Sequence, residues 1–188
     1  MTEFYFIRHG QTEANALGLK QGTINSQITL LNDKGKKQAQ HLHDVFDIGF
    51  ADQLIASPLH RTQETAAILN ATAKLPTETD ERLLEISYGQ WDGLKNQALQ
   101  AQYPAVFDPV LRDVLPSYTE YATRSEEHTS EADGKFIVVT HGFTVKAAVL
   151  AALQPRDAMT LPEPDNTSVT KISLIDGHYY VWFYNRLL

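Results

Sequence analysis

A chain of 188 residues with 43% hydrophobic and 21% charged residues sits near the globular average, which excludes disordered and fibrous classes and leaves room for one domain, residues 1–188, with a sizeable core. The net charge of −7 argues against nucleic acid as a partner, because a phosphate backbone repels a surface of that sign, so any anionic substrate must meet a local basic pocket. Zero cysteines removes disulfide scaffolds and thiolate chemistry, and with no bilayer-length apolar run and no secretory pattern the chain reads as cytoplasmic with no membrane partner.

Phe4-Tyr5-Phe6-Ile7 is an unbroken apolar run, the pattern of a strand covered on both faces. It passes directly into Arg8-His9-Gly10, so a guanidinium and an imidazole stand at the carboxyl end of that strand, where open α/β sheets place their ligands. In isolation the tripeptide reads equally well as a strand ending in two solvated polar residues. Residues 11–31 show no sustained period and read as a long loop. Asn32 has the character of an N-cap, with Asp33 in the first turn and Ala39, Leu42, Val45 and Phe46 at helical spacing, giving a helix to about residue 48. Leu54-Ile55-Ala56 is a short buried strand closed by Ser57-Pro58, and residues 59–71 have helical composition with Arg61 in the first turn. A cation there is opposed by the helix macrodipole unless an anion lies between it and the amide groups; the alternative is a solvated arginine.

Residues 78–81 suit a short edge strand, and Leu83-Leu84-Glu85-Ile86 sets one carboxylate among apolar neighbours, which favours its neutral form. Residues 88–93 make a glycine-punctuated turn with two aromatics, and residues 94–103 and 106–115 read as helices interrupted at Pro104. Residues 125–134 are anomalous, because an α/β crossover needs an apolar stripe to cover the sheet and here only Ala132 contributes. Phe136-Ile137-Val138-Val139 is a second all-apolar strand ending in Thr140-His141-Gly142, followed by an alanine-rich helix over residues 144–153. After a loop marked by Pro155, Pro162 and Pro164, residues 168–175 and 179–184 read as strands joined by Asp176-Gly177, a hairpin signal.

Two histidines therefore each end a buried strand and precede a glycine, two arginines lie at or just after strand ends, and one carboxylate sits between apolar residues. That set fits phosphoryl transfer. Neutral His9 is the candidate nucleophile, its second ring N–H held by an acceptor that fixes the tautomer. Arg8, Arg61 and protonated His141 would hold the equatorial oxygens. Glu85 would protonate the leaving alcohol and then activate water, a double role that needs a raised pKa. No metal and no cofactor are expected: His41 and His43 are two apart and face different ways on their helix, and there is no His-x-x-x-His pair or aspartate cluster. His60 and His128 read as solvated surface residues, and His178 as the opening of the last strand.

Arg8-His9-Gly10, Ser57-Pro58-Leu59-His60-Arg61-Thr62, the run Leu84-Glu85-Ile86-Ser87-Tyr88-Gly89-Gln90-Trp91-Asp92-Gly93 and Val139-Thr140-His141-Gly142 together resemble the histidine phosphatase superfamily, in its phosphoglycerate mutase-like branch. The resemblance covers nearly the whole chain. It implies a three-layer α/β/α sandwich with a mostly parallel central sheet, a phosphohistidine at His9, a phosphate pocket of Arg8, Arg61 and His141, and Glu85 as proton donor. It also implies a substrate-binding set of Asn15, Gln21, Gly22 and Tyr88, with Thr12 and Gly142 beside them. Departures favour a phosphatase over a mutase. Mutases carry two adjacent arginines after the Tyr88 motif, where only Arg112 is near, and an asparagine after the second His-Gly, where this chain has Phe143. Leu115-Pro116-Ser117 stands in place of a Gly-Glu-Ser motif. The run from Arg124 to Glu131 departs most and resembles the translation of a common sequencing-library adapter, as though it replaced native residues. The expectation is a metal-independent phosphatase acting on a small phosphorylated metabolite; the alternatives are a cofactor-dependent phosphoglycerate mutase and a non-catalytic phosphoester-binding protein.

Overall fold

A computed structural model of the chain describes residues 1–95, 97, 134–153 and 161–188. The helices expected over residues 94–103 and 106–115, Arg112, the Leu115-Pro116-Ser117 segment, His128 and the anomalous run up to residue 133 lie wholly or almost wholly outside the described residues, as does Pro155.

The described elements run β1 (Thr2–Arg8), α1 (Glu13–Ala16), α2 (Asp33–Val45), β2 (Gln53–Ala56), α3 (His60–Leu69), β3 (Thr77–Thr79), β4 (Gly134–Thr140), α4 (Gly142–Leu153), β5 (Val169–Ile175) and β6 (His178–Arg186). They build a six-stranded sheet in the order β3-β2-β4-β1-β5-β6. The first four strands of that order are parallel, and the β5–β6 hairpin adds an antiparallel edge beside β1. The hairpin turn places Asp176 and Gly177 at φ 50° and 78°, the left-handed pair that a two-residue connection with the sheet's twist requires.

The alternation of β1 explains the layering. Phe4 and Phe6 point to one face, where they pack with Phe136, Val138 and Ile172 against Val145, Ala148 and Val149 of α4. Ile7 points to the other, with Leu54, Ala56, Ile137 and Val139 against Leu42 of α2 and Ala66 and Leu69 of α3. Helices thus cover both faces, and the three-layer α/β/α sandwich follows. The unbroken apolar runs of β1 and β4 are what that double coverage demands. Among the described residues no helix is long and apolar enough to cross a membrane.

Several boundaries differ from the sequence reading for identifiable reasons. The stretch 11–31 holds α1 and a 3₁₀ turn, Gln27–Thr29. A four-residue helix shows no periodicity; its signal is the capping pair Thr12 and Asn15, each side chain meeting the other's backbone N–H. Asn32 caps α2 through Gly35 N–H as expected, but the helix stops at Val45, which is exposed. In α3, Ala66 and Leu69 are buried while Ala67 faces solvent. Gly10 is where α2 meets the end of β1. A Cβ there would lie 2.5 Å from the Gly35 carbonyl oxygen, so the chain turns away from the strand only because position 10 carries no side chain.

Candidate active site

β1 and β4 are neighbours, and their register sets Arg8 opposite Thr140, so the two strand-ending histidines emerge at the same height. The His9 N–H donates to the Thr140 carbonyl at 3.0 Å, and the two imidazoles lie with centroids 5.3 Å apart, inclined at 63°. β2 pairs on the far side of β4, and Ser57 N–H bonds the Val139 carbonyl, which delivers the first turn of α3 and its Arg61 to the same edge. A cavity of about 300 Å³ opens there, at the carboxyl ends of the parallel strands. It is lined by Arg8, His9, Asn15, Gln21, Gly22, Arg61, Glu85 and Tyr88, all singled out in the sequence, together with Lys20, Phe143 and Glu163, which were not singled out as site residues.

His9 is 2% exposed. Its Nδ1 lies 2.8 Å from its neighbour's carbonyl, Gly10 O, and since a carbonyl only accepts, Nδ1 carries the hydrogen and Nε2 keeps its lone pair. Burial first, then the charges of Arg61 and Arg8, hold the ring well below the usual histidine range, so it is neutral. The peptide around it is fixed by Asn166, which donates to the His9 carbonyl at 2.9 Å, and by Thr65, which accepts from Gly10 N–H at 3.1 Å.

Arg61 is 1% exposed, which rules out the solvated alternative. It donates to the Gly22 carbonyl at 2.7 Å and the Ile24 carbonyl at 3.0 Å, pinning the loop after α1, while its Nε is buried without a partner. Burial draws its pKa down to about 10, so it stays cationic at neutral pH. Arg8 donates to the Pro164 carbonyl and lies 3.4 Å from a Glu163 oxygen; its Nε too is buried and unpartnered.

His141 is wholly buried, with Nε2 2.8 Å from Ser57 Oγ and Nδ1 unpartnered. The sequence reading had this ring protonated. Burial, followed by the charges of Arg61, His9 and Arg8, holds it well below the usual histidine range, so it is neutral.

Glu85 is 8% exposed and accepts from the main-chain N–H groups of Ile86 at 3.0 Å and Phe143 at 3.2 Å. Burial, with Glu163 second, lifts its pKa to about 7. The sign has a consequence for stability. Above its ordinary value of 4.5 the unfolded chain releases this proton while the fold holds it, so the contribution is complete below 4.5 and is lost as pH rises to about 7. Glu85→Gln, which cannot ionise, is expected to stabilise the fold by about 1–3 kcal/mol at pH 8 and by little at pH 4.5. Denaturant titrations at the two pH values measure this, and an equal gap at both would contradict the assigned ionisation.

The remaining substrate-set residues separate by role. Asn15 lines the cavity with its carbonyl oxygen engaged by Thr12 N–H at 3.2 Å. Thr12 itself is fully buried and donates to Gln21 at 2.8 Å, so it positions the wall and does not form it. Gly142 is also absent from the lining; its contribution is space, since a Cβ there would sit 2.0 Å from a Glu163 oxygen. His41 and His43 bond the carbonyls of Leu188 and Leu69, His60 is exposed and His178 opens β6. Among the described residues no three His, Cys, Asp or Glu side chains converge as a metal site would need.

The sequence model described as "Histidine phosphatase superfamily (branch 1)" matches residues 4–186. "Phosphoserine phosphatase 1" of Hydrogenobacter thermophilus is 31% identical over 107 residues, covering 57% of this chain and 49%, about half, of that protein. The 2,3-bisphosphoglycerate-dependent phosphoglycerate mutase of Thermoplasma acidophilum is 28% identical over 175 residues, covering 91% of this chain and 86% of the mutase. The solved structure of Bacillus stearothermophilus YhfR superimposes with a TM-score of 0.86 at 27% identity, over 100% of this chain and 98% of that one. With a match that omits only a few terminal residues, laid over two parallel strands that each end in His-Gly, the chain belongs to branch 1 of the histidine phosphatase superfamily.

Proposed function

We propose that the chain is a metal-independent phosphatase that hydrolyses small phosphomonoesters through a phosphohistidine at His9. The observation that carries this reading is the bond between His9 Nδ1 and the Gly10 carbonyl, which leaves a neutral Nε2 lone pair in a cavity shared with the buried Arg61 and the partly buried Arg8. Nε2 attacks phosphorus, the bond from phosphorus to the leaving oxygen breaks, and Glu85 supplies the proton that this oxygen takes up. Water then attacks the phosphohistidine, Glu85 takes a proton from it, and the nitrogen–phosphorus bond breaks to return His9 and release phosphate. Arg8, Arg61 and His141, whose Nε and Nδ1 atoms are buried without partners, supply donors for the equatorial oxygens.

The pH dependence follows from Glu85. The first step needs its protonated form, so kcat/KM is expected to fall about tenfold per unit above pH 7, while neutral His9 sets no limit until well below neutrality. Glu85→Gln is expected to lose roughly 10²–10⁴-fold on an alkyl phosphate and much less on p-nitrophenyl phosphate, whose phenolate leaves without a proton. Its profile on the aryl ester should also lose the limb above pH 7. Equal losses on both esters would remove Glu85 from the proton-donor role.

Relatedness to a mutase keeps a second reading in view. Against it stands Phe143, where mutases carry an asparagine: its ring meets Tyr88 edge-on at 6.3 Å, so an apolar surface occupies that wall. Such a wall holds a leaving alcohol loosely, which suits release over re-phosphorylation. A coupled assay with 3-phosphoglycerate and a bisphosphoglycerate primer separates the two. Free phosphate is the expected product, and isomerisation without phosphate release would favour the mutase.

A further inference from the structure

Lys20 has no part in the chemistry above and Glu163 enters it only by helping to raise the Glu85 pKa, yet both face the cavity that holds His9 and Glu85. Both are held in place by their backbones. Lys20 N–H donates to the Leu94 carbonyl at 3.0 Å and the Lys20 carbonyl accepts from Gly93 at 2.7 Å, which ties it to the turn after Tyr88. Its ammonium lies 4.2 Å from the centroid of the Tyr88 ring, and among the described residues no carboxylate pairs with it. Glu163 sits between Pro162, whose carbonyl takes the Tyr184 hydroxyl, and Pro164, whose carbonyl takes Arg8. Its carboxylate extends over Gly142 to within 3.4 Å of the Arg8 guanidinium.

Resting on the phosphomonoesterase reading, we propose that Lys20 and Glu163 are a specificity pair for a zwitterionic leaving group, Lys20 taking a carboxylate and Glu163 an ammonium, so that the preferred substrates are O-phosphorylated amino acids. The charges favour this choice. A phosphate dianion on Arg8 finds the Glu163 carboxylate already beside it, a repulsion that a plain phosphoester cannot relieve. A substrate ammonium relieves it, as a charge-assisted partner of that carboxylate. The fixed cations of the lining, Arg8, Arg61 and Lys20, balance Glu163 and a phosphate dianion while Glu85 keeps its proton. A leaving group of zero net charge preserves that balance; one with a carboxylate and no ammonium adds an uncompensated negative charge near Glu163. Asp92 does not alter the count at the lining, since it lies behind Gly22 and accepts from the Tyr88 N–H at 3.1 Å.

The test compares kcat/KM for O-phosphoserine, phosphoethanolamine and 3-phosphoglycerate, each as a ratio to p-nitrophenyl phosphate in the same variant. The intact chain should prefer O-phosphoserine over the other two metabolites by about tenfold or more. Glu163→Gln should lower the ratios for O-phosphoserine and phosphoethanolamine by about tenfold to hundredfold and raise that for 3-phosphoglycerate. Lys20→Gln should lower O-phosphoserine and 3-phosphoglycerate and spare phosphoethanolamine. Ratios unmoved by both substitutions, with aryl phosphate still turned over, overturn the pair and leave the phosphatase reading standing. If aryl phosphate itself is not hydrolysed, it is the phosphatase reading that fails. Calorimetric binding of the three metabolites to the intact chain then decides the pair: tighter O-phosphoserine supports it, and equal affinities overturn it.

Discussion

Replacing His9 by alanine should lower turnover of any phosphomonoester by about 10⁴-fold or more, because it removes the proposed nucleophile while leaving the charged pocket in position. The loss separates from a general loss of structure. Arg8, Arg61 and His141 remain, so the variant should still bind inorganic phosphate or vanadate, and its melting transition should remain cooperative. The ring occupies a site only 2% exposed, and its removal leaves the Gly10 carbonyl without its donor, so a moderate destabilisation of about 1–3 kcal/mol accompanies the change. A variant retaining a tenth of the activity would show that His9 is not the nucleophile.

Arg61 should give the second large effect, and it acts on both catalysis and stability. Arg61→Met removes the proposed transition-state donor, a change that typically costs about 10²–10³-fold in kcat. It also strips the Gly22 and Ile24 carbonyls of a donor that is 1% exposed, so a further loss of about 2–4 kcal/mol in stability is expected. Arg61→Lys distinguishes the two contributions. It keeps the charge but reaches the loop carbonyls as a single point donor, so phosphate affinity should survive better than the order of residues 21–24. Inhibition by inorganic phosphate reads the first, and hydrogen exchange in that loop reads the second. Unchanged phosphate inhibition in Arg61→Met would place the guanidinium in a scaffold role only.

What could be read from the sequence divides by the range of the interaction. β1 and β4 were legible because strands covered on both faces leave unbroken apolar runs, and the desolvation of Glu85 was legible because its neighbours in the chain are apolar. Arg61 was ambiguous, since its burial depends on the carbonyls of Gly22 and Ile24, about forty residues away in the chain. α1 escaped because its signal is a capping pair in place of a period. Lys20 and Glu163 had no local signal: one stands in a loop fixed by Leu94 and Gly93, the other between two prolines far away in the chain. The charge of His141 could not be assigned from its motif, because it depends on how many cationic neighbours the fold assembles around it.

The phosphohistidine is the step on which the rest depends. The chain, in chelator, is mixed with a phosphomonoester labelled at phosphorus, quenched within one turnover, digested and mapped. The expected result is an acid-labile, alkali-stable label on the peptide that carries His9, formed at the rate of the first phase of product release and absent from His9→Ala. Turnover without any such label, or a label on another residue, would contradict covalent catalysis at His9.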